Sequence, residues 1–422
     1  MALRRYLGAF LLLALVSLSF GQPKLAENGA EGRPANWKES VLGSIASIFR
    51  ETAFAPTINF DQWPDYLKKH QAEIDKADTD EAFQRAVNAA LKEFKASHIM
   101  LSTPQATRNR KESRSTGIGI SVALEKDAYL VTYVFEGSPA AKVGLVAGDR
   151  ILTVDGKSAA DRIPLTGDEG KSVTITVRRR DGSEEEMSLV RRRYSTQRPA
   201  EVAVLDDDTA ILTLHTFDLT YSADRVEALL RKVSDKPQLI IDLRGNGGGA
   251  VANMCHFLNC FLPGTTEIGT YVDRRLANRY ERENGKRATD LVELAKFATR
   301  RVKIGQKAQI APYRGKVAVI TNGGSGSAAE IAATVLRDEL GAAVVGTKTA
   351  GAVLISVLVP VGHEFSLQFP LSDYVTMKGQ RLEGVGVTPT VPVRDLLPFR
   401  ISDAEDAGVK AARDWFIRAS SG

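Results

Sequence analysis

Two serines, Ser325 and Ser327, stand in the run "TNGGSGSAAE" at positions 321–330, between an apolar stretch at 317–320 and an alanine-rich helical sequence. A strand-to-helix junction gathers free backbone amides and the positive end of the helix dipole. A nucleophile placed there gains help for a developing oxyanion. The same residues have a plainer local reading. Ser327 and Glu330 fit the S-x-x-E capping box, in which each satisfies an orphan amide of the helix start. The G-x-S-x-G nucleophile elbow is not matched, because Ser327 stands where its second glycine belongs.

A second run, "DLRGNGGGA" at 242–250, delivers a buried strand into a glycine-rich loop and a helix. Gly245, Gly247 and Ala250 loosely fit a dinucleotide fingerprint, but no ribose-binding acid follows at the expected place. The competing reading is a turn that exposes amides beside a neighbouring site, with Asp242 and Arg244 paired to each other or to nearby backbone. The chain has five histidines as candidate bases. His70 and His256 fall in helices, His215 in a strand and His363 in a turn. His98 lies just past a helix C-terminus beside Ser97, where a helix dipole alone would favour it. Nothing local decides among them. Cys255 and Cys260 on one helix point to different faces, too far apart to bridge. His256 lies between them without a second ligand pair, so the pattern gives buried free thiols rather than a zinc site.

The elements that must position these groups follow from length and texture. A chain of 422 residues holds two to four domains. Its 43% apolar and 25% charged residues are ordinary for a soluble protein. The net charge of +5 is concentrated at 274–307, with eleven Lys/Arg against four Asp/Glu. Without stacking aromatics or a nucleic-acid module, this reads as a solvated insertion and not a nucleic-acid surface. At the start, Arg4 and Arg5 precede an apolar run at 7–18 and the small-residue site Ser19-Phe20-Gly21. That reads as a secretory signal-peptide pattern at 1–21, short for a membrane span, with no cysteine to indicate a lipid anchor.

Residues 22–115 read as a helical region. Within 79–95, Phe83, Val87, Leu91 and Phe94 make one apolar stripe. A basic, loop-like "RNRKESRST" follows. Residues 116–193 resemble a PDZ domain through "TGIGISV", "VFEGSPAAKVGLVAGDRILTVDGKS" and "GKSVTITVRRRDG". In such a domain the backbone of Thr116, Gly117, Ile118, Gly119 and Ile120 offers amides to a peptide carboxylate while the peptide adds a strand. Arg108, Arg110, Lys111 and Arg114 could supplement that site, although each alone is a solvated charge. Residues 200–396 alternate strands and helices in an α/β pattern with crossover connections. The remainder, 397–422, ends in an amphipathic helix at 402–417, with Val409, Ala412 and Trp415 inward.

Taken together, "LIIDLRGNGGG", "VAVITNGGSGSAAEIAA", "VVGTKTAG" and "EGVGVTP" resemble the C-terminal processing and tricorn-type serine protease family from about residue 81 to 393. The resemblance implies an α/β catalytic core of strand-helix crossovers with an inserted PDZ β-rich domain and an N-terminal helical region. It implies Ser327 as nucleophile and an oxyanion hole from the amides of Ala328 and Gly247 or Gly248. C-terminal processing members place a lysine base where this chain has Ala352; Lys348 lies four residues early and would project elsewhere. The tricorn-like branch uses a Ser-His pair before the core, matched by "KASHIML". By that resemblance His98 is the base, and Glu383 and Ser97 orient it. Thr390 stands where the family usually has aspartate.

The resemblance therefore implies an exported serine endopeptidase, periplasmic or extracellular, or membrane-tethered if the signal is uncleaved. Its PDZ domain would take C-terminal or unstructured segments of protein substrates. No metal or organic cofactor, no nucleic-acid partner and no stable membrane insertion after cleavage are implied; oligomerisation is left open. The rival expectation is an inactive family member that binds apolar ligands or peptides.

Overall fold

Six strands form the core sheet of the computed structural model, which describes residues 33–288, 290–400 and 405–420. The signal expected at 1–21 lies outside the described residues. In order across the sheet, the strands are Glu201–Val204, Thr209–Thr213, Gln238–Asp242, Lys316–Thr321, Ala343–Gly346 and Val391–Pro392. The first pair is antiparallel and the rest are parallel. Leu239 and Ile241 pack with the helices Ala223–Lys232, Val251–Asn259 and Ala328–Leu340, while Ile240 packs with the C-terminal helix Ala407–Ser420. Because helices cover both faces, the central strands are apolar throughout. Each fully buried aliphatic side chain contributes about 1.5–3 kcal/mol of transfer free energy.

The C-terminal helix starts later than expected. The Asp406 carboxylate accepts the N–H groups of Gly408 and Val409, which caps the helix there. Its inner face is Val409, Ala412 and Phe416, with Trp415 only half-buried.

A second, antiparallel sheet joins the N-terminal region to the core. Its long strand Ser366–Val375 pairs with Met100–Ser102, Ile355–Pro360 and Glu267–Asp273. The helices Trp37–Glu51 and Asp80–Lys92 pack on it through Val41, Phe83, Leu91, Phe365 and Phe369. Thr79 caps the second of these helices. Phe94 lies just beyond its end, in an aromatic cluster with Phe49, Phe60, Trp63 and Tyr66.

The basic stretch read as a loop is largely helical, over Pro104–Glu112. Thr103 accepts the Ala106 N–H and Pro104 opens the first turn, a start signal that overrides the charge. The PDZ sheet orders Ile120–Leu124, Tyr129–Val134, Arg150–Val154, Ser172–Arg178 and Glu184–Val190, so Ile120–Leu124 is a free edge. A two-stranded ribbon, Arg114–Gly117 with Arg192–Ser195, ties it to the rest.

Candidate active site

Two parallel neighbours in the core sheet end side by side, with Asp242 in register with Ile320. Each runs into a loop and a helix, so both loops open at the carboxyl edge of the sheet, where α/β folds place their sites. Hydrogen bonds stitch the loops together. Ser325 Oγ donates to Leu243 O at 2.8 Å and accepts the Asn322 N–H. Asn322 Oδ1 accepts the Gly245 N–H, and Gly326 N–H donates to Asn246 O at 2.9 Å. Ser325 is fully buried in this stitch, which leaves Ser327 as the reactive candidate.

Ser327 opens the helix with φ 54° and ψ −120°. A non-glycine residue held in a sparsely populated region costs about 1–3 kcal/mol and must be clamped from outside. The clamp is Glu330. Its Oε2 accepts the Ser327 N–H at 3.0 Å, as the capping box requires, and its own N–H donates to Ser327 O. The carboxylate is fully buried and also accepts Thr349 Oγ1 at 2.5 Å, Gly351 N–H at 2.8 Å and Ala352 N–H at 2.9 Å. Sequence reasoning saw only the cap. The contacts to Thr349, Gly351 and Ala352 leave no local signal.

The glycine loop lies against Ser327. A Cβ on Gly248 would fall 2.7 Å from Ser327 Cβ and 2.8 Å from Ala328 N. Only glycine fits there, at φ +93°. The Gly248 N–H is taken by Asn246 Oδ1 at 2.9 Å, so this amide does not serve as the expected oxyanion donor. Among the described residues the N–H groups of Gly247 and Ala328 have no hydrogen-bond partner. Two unfilled amides beside Ser327 match the donor pair of an oxyanion hole.

His98 lies on the short link before strand Met100–Ser102. Its Nδ1 is 2.6 Å from Ser97 Oγ, which donates to Glu383 Oε2 at 2.8 Å. Glu383 also accepts the Ser97 and Val353 N–H groups, at 3.0 and 2.7 Å. A carboxylate only accepts, so the Ser97 hydrogen points to Glu383. Nδ1 must then carry a proton and donate to Ser97 Oγ. That assignment leaves the Nε2 lone pair free as a base. Burial lowers the His98 pKa below its ordinary value, partly opposed by the Glu383 charge.

Adjacent amides join the two halves. Ala352 N–H ends on the Glu330 carboxylate that holds Ser327, and Val353 N–H ends on the Glu383 carboxylate that holds Ser97. Ala352, at the family's lysine position, thus contributes its backbone. Lys348 is exposed. Thr390 Oγ1 bonds both backbone groups of Val344, and so secures the edge of the core sheet. His256 is held by Tyr221 and Glu227, at 2.7 and 3.0 Å, and both cysteines are buried and free.

In the PDZ domain, Thr116 and Gly117 belong to the ribbon, paired with Arg193 and Arg192. The carbonyls of Ile118 and Gly119 accept Ala140 and Phe135 N–H, while their own N–H groups have no partner among the described residues. Ile120 begins the free edge strand. Arg108 and Arg110, read as supplements to this site, are instead paired with Glu364 and Asp218 of the core, at 2.7 and 2.8 Å.

Comparison with known proteins bears on the fold and the family. Residues 208–393 match the model of peptidase family S41, and residues 130–179 match that of the PDZ domain. The chain is 25% identical over 335 residues to the carboxy-terminal-processing protease of Bartonella bacilliformis, covering 76% of this chain and 71% of that one. It is 26% identical over 340 residues to a probable CtpA-like serine protease of Staphylococcus aureus. That match covers 78% of this chain and 62% of the relative, so the chain spans less than two thirds of the staphylococcal protein. In shape it is similar to the photosystem II D1 C-terminal processing protease, with a TM-score of 0.54 and 18% identity over 90% of this chain and 99% of the other. The chain carries the core of peptidase family S41, a serine peptidase core, together with a PDZ domain.

Proposed function

We propose that this chain is an exported serine endopeptidase that cleaves by Ser-His catalysis, and that its PDZ domain engages C-terminal or unstructured segments of protein substrates. The observation that carries the catalytic reading is the Glu383–Ser97–His98 relay, which fixes one imidazole tautomer. Ser327 Oγ attacks the scissile carbonyl and passes its proton to His98 Nε2. The oxyanion is received by the Ala328 and Gly247 amides. His98 then protonates the leaving amine, and water, deprotonated by the same imidazole, releases the acyl group from Ser327.

The PDZ reading rests on the unpartnered Ile118 and Gly119 amides beside a free edge strand. Such an edge accepts an added strand, and the amides can donate to a carboxylate. Export rests on the sequence pattern at 1–21.

The test is hydrolysis of unfolded casein and of peptides with varied C-termini, together with fluorophosphonate labelling. The wild type should cleave and label, and Lys348→Ala should retain both. Ser327→Ala should abolish both, and His98→Ala should abolish cleavage. A wild type that neither cleaves nor labels would instead leave a peptide- or apolar-ligand-binding protein.

A further inference from the structure

The charge excess of this protein sits on one built feature. Residues 274–307 carry net +7 in a chain of net +5, so everything else is net −2. The segment leaves the second sheet after Glu267–Asp273 and forms two helices, Arg274–Asn284 and Leu291–Phe297. It has its own small core of Tyr280, Leu291, Leu294 and Ala295, packed on Val272 and Val375. The apolar side of the insertion is therefore occupied by the protein itself, and its outer side carries the charge.

Most of its carboxylates are engaged. Glu293 accepts from Tyr280, Asp290 caps Val292, and Glu283 stands 4.0 Å from Arg279. Six cations, Arg275, Arg282, Lys286, Arg287, Lys296 and Arg300, are exposed and have no hydrogen-bond or ion-pair partner among the described residues. An apolar tip adjoins them. The turn closed by Thr376 N–H to Gln380 O presents Met377 at 40% exposure, and the Cβ position of Gly379 lies 3.5 Å from Val292 on the second helix. Unneutralised cations on a segment that carries an exposed apolar tip against its second helix suit the interface of an anionic bilayer. Nucleic acid is less well served, because both aromatics of the insertion point inward. Tyr280 is buried and Phe297 is covered by Arg279 at 4.8 Å.

We infer that this basic face is a peripheral docking surface for anionic phospholipid membranes, which holds the protein at a bilayer through charge and one apolar tip.

The test is co-sedimentation of the full chain with phosphatidylcholine vesicles, with and without phosphatidylglycerol, at low and high salt. The apolar N-terminal stretch is common to every variant, so only the phosphatidylglycerol-dependent increment is read. The increment should vanish at high salt, as the Debye length shrinks below its roughly 8 Å at physiological strength. It should fall at least roughly tenfold in the fourfold variant Arg275→Glu, Arg282→Glu, Lys286→Glu, Lys296→Glu. Casein cleavage in free solution should stay at the wild-type rate. If that variant does not fold, the single change Met377→Asp should still weaken vesicle binding. No phosphatidylglycerol increment, or one that survives charge reversal, would overturn the inference. So would a DNA duplex that outcompetes the vesicles for this face.

Discussion

The backbone N–H groups of Ser327 and Ala352 end on the same oxygen, Oε2 of Glu330, at 3.0 and 2.9 Å. Ser327 and the loop that braces the His98 relay are thus set by one carboxylate. Glu330→Gln puts an amide NH2 against one of the two pairs of donors it now satisfies. Charge-assisted hydrogen bonds contribute about 1.5–3 kcal/mol each, so stability should fall by that order. Displacement of the nucleophile should lower kcat by roughly 100-fold with little change in KM. Chemical denaturation and steady-state kinetics on the same preparation separate the two effects.

Ser97→Ala removes the link between His98 and Glu383 while sparing the imidazole. The tautomer is then no longer fixed, and kcat should drop by about 100-fold or more. Glu383→Gln should do the same. The double variant should be little worse than either single one, because both changes break one relay. Additive losses in a double-mutant cycle would mean that the two residues act separately.

The pH dependence follows from the burial of His98. Its folded pKa is lowered, so the imidazole stays neutral below the ordinary value of about 6.5. The acid limb of kcat/KM should therefore lie below that value. Between the folded pKa and the unfolded value the unfolded chain binds a proton that the folded one refuses. Stability from this group is therefore complete above the unfolded value and falls as pH drops through the window. Removing the Glu383 charge, which raises the pKa, should move the limb of any residual activity still lower.

Gly248→Ala and Ser325→Ala should separate reactivity from loop architecture. The first places a methyl group 2.7 Å from Ser327 Cβ, and fluorophosphonate labelling should be lost. The second removes a fully buried hydroxyl from the stitch to Leu243, at a cost of about 1–3 kcal/mol in stability, and labelling of the folded protein should persist. A labelled Gly248→Ala variant would show that the loop yields.

Much of this was legible in the sequence because it is local. Strand, glycine loop and helix announce themselves at 238–259 and 316–340 by apolar runs and breakers. What the sequence left open is long-range. The choice among five histidines needed a resemblance, since nothing near His98 marks it as a base. The geometry then shows Ser97 bonded to Glu383, a residue 286 positions away. Gly247 and Gly248 look alike on the page, and only the Asn246 side chain, folded back on its own loop, distinguishes their amides. Thr103-Pro104 was a readable helix start that the basic run after it obscured.

The strand Met100–Ser102, which follows His98, finds its partner only in Ser366–Gln368, and the relay closes only with Glu383. A chain emerging from the ribosome thus carries its proposed base early, its proposed nucleophile late and its proposed orienting carboxylate later still. Until residue 383 has been made the relay stays open, so under the proposed mechanism the order of synthesis itself acts as a delay on activity.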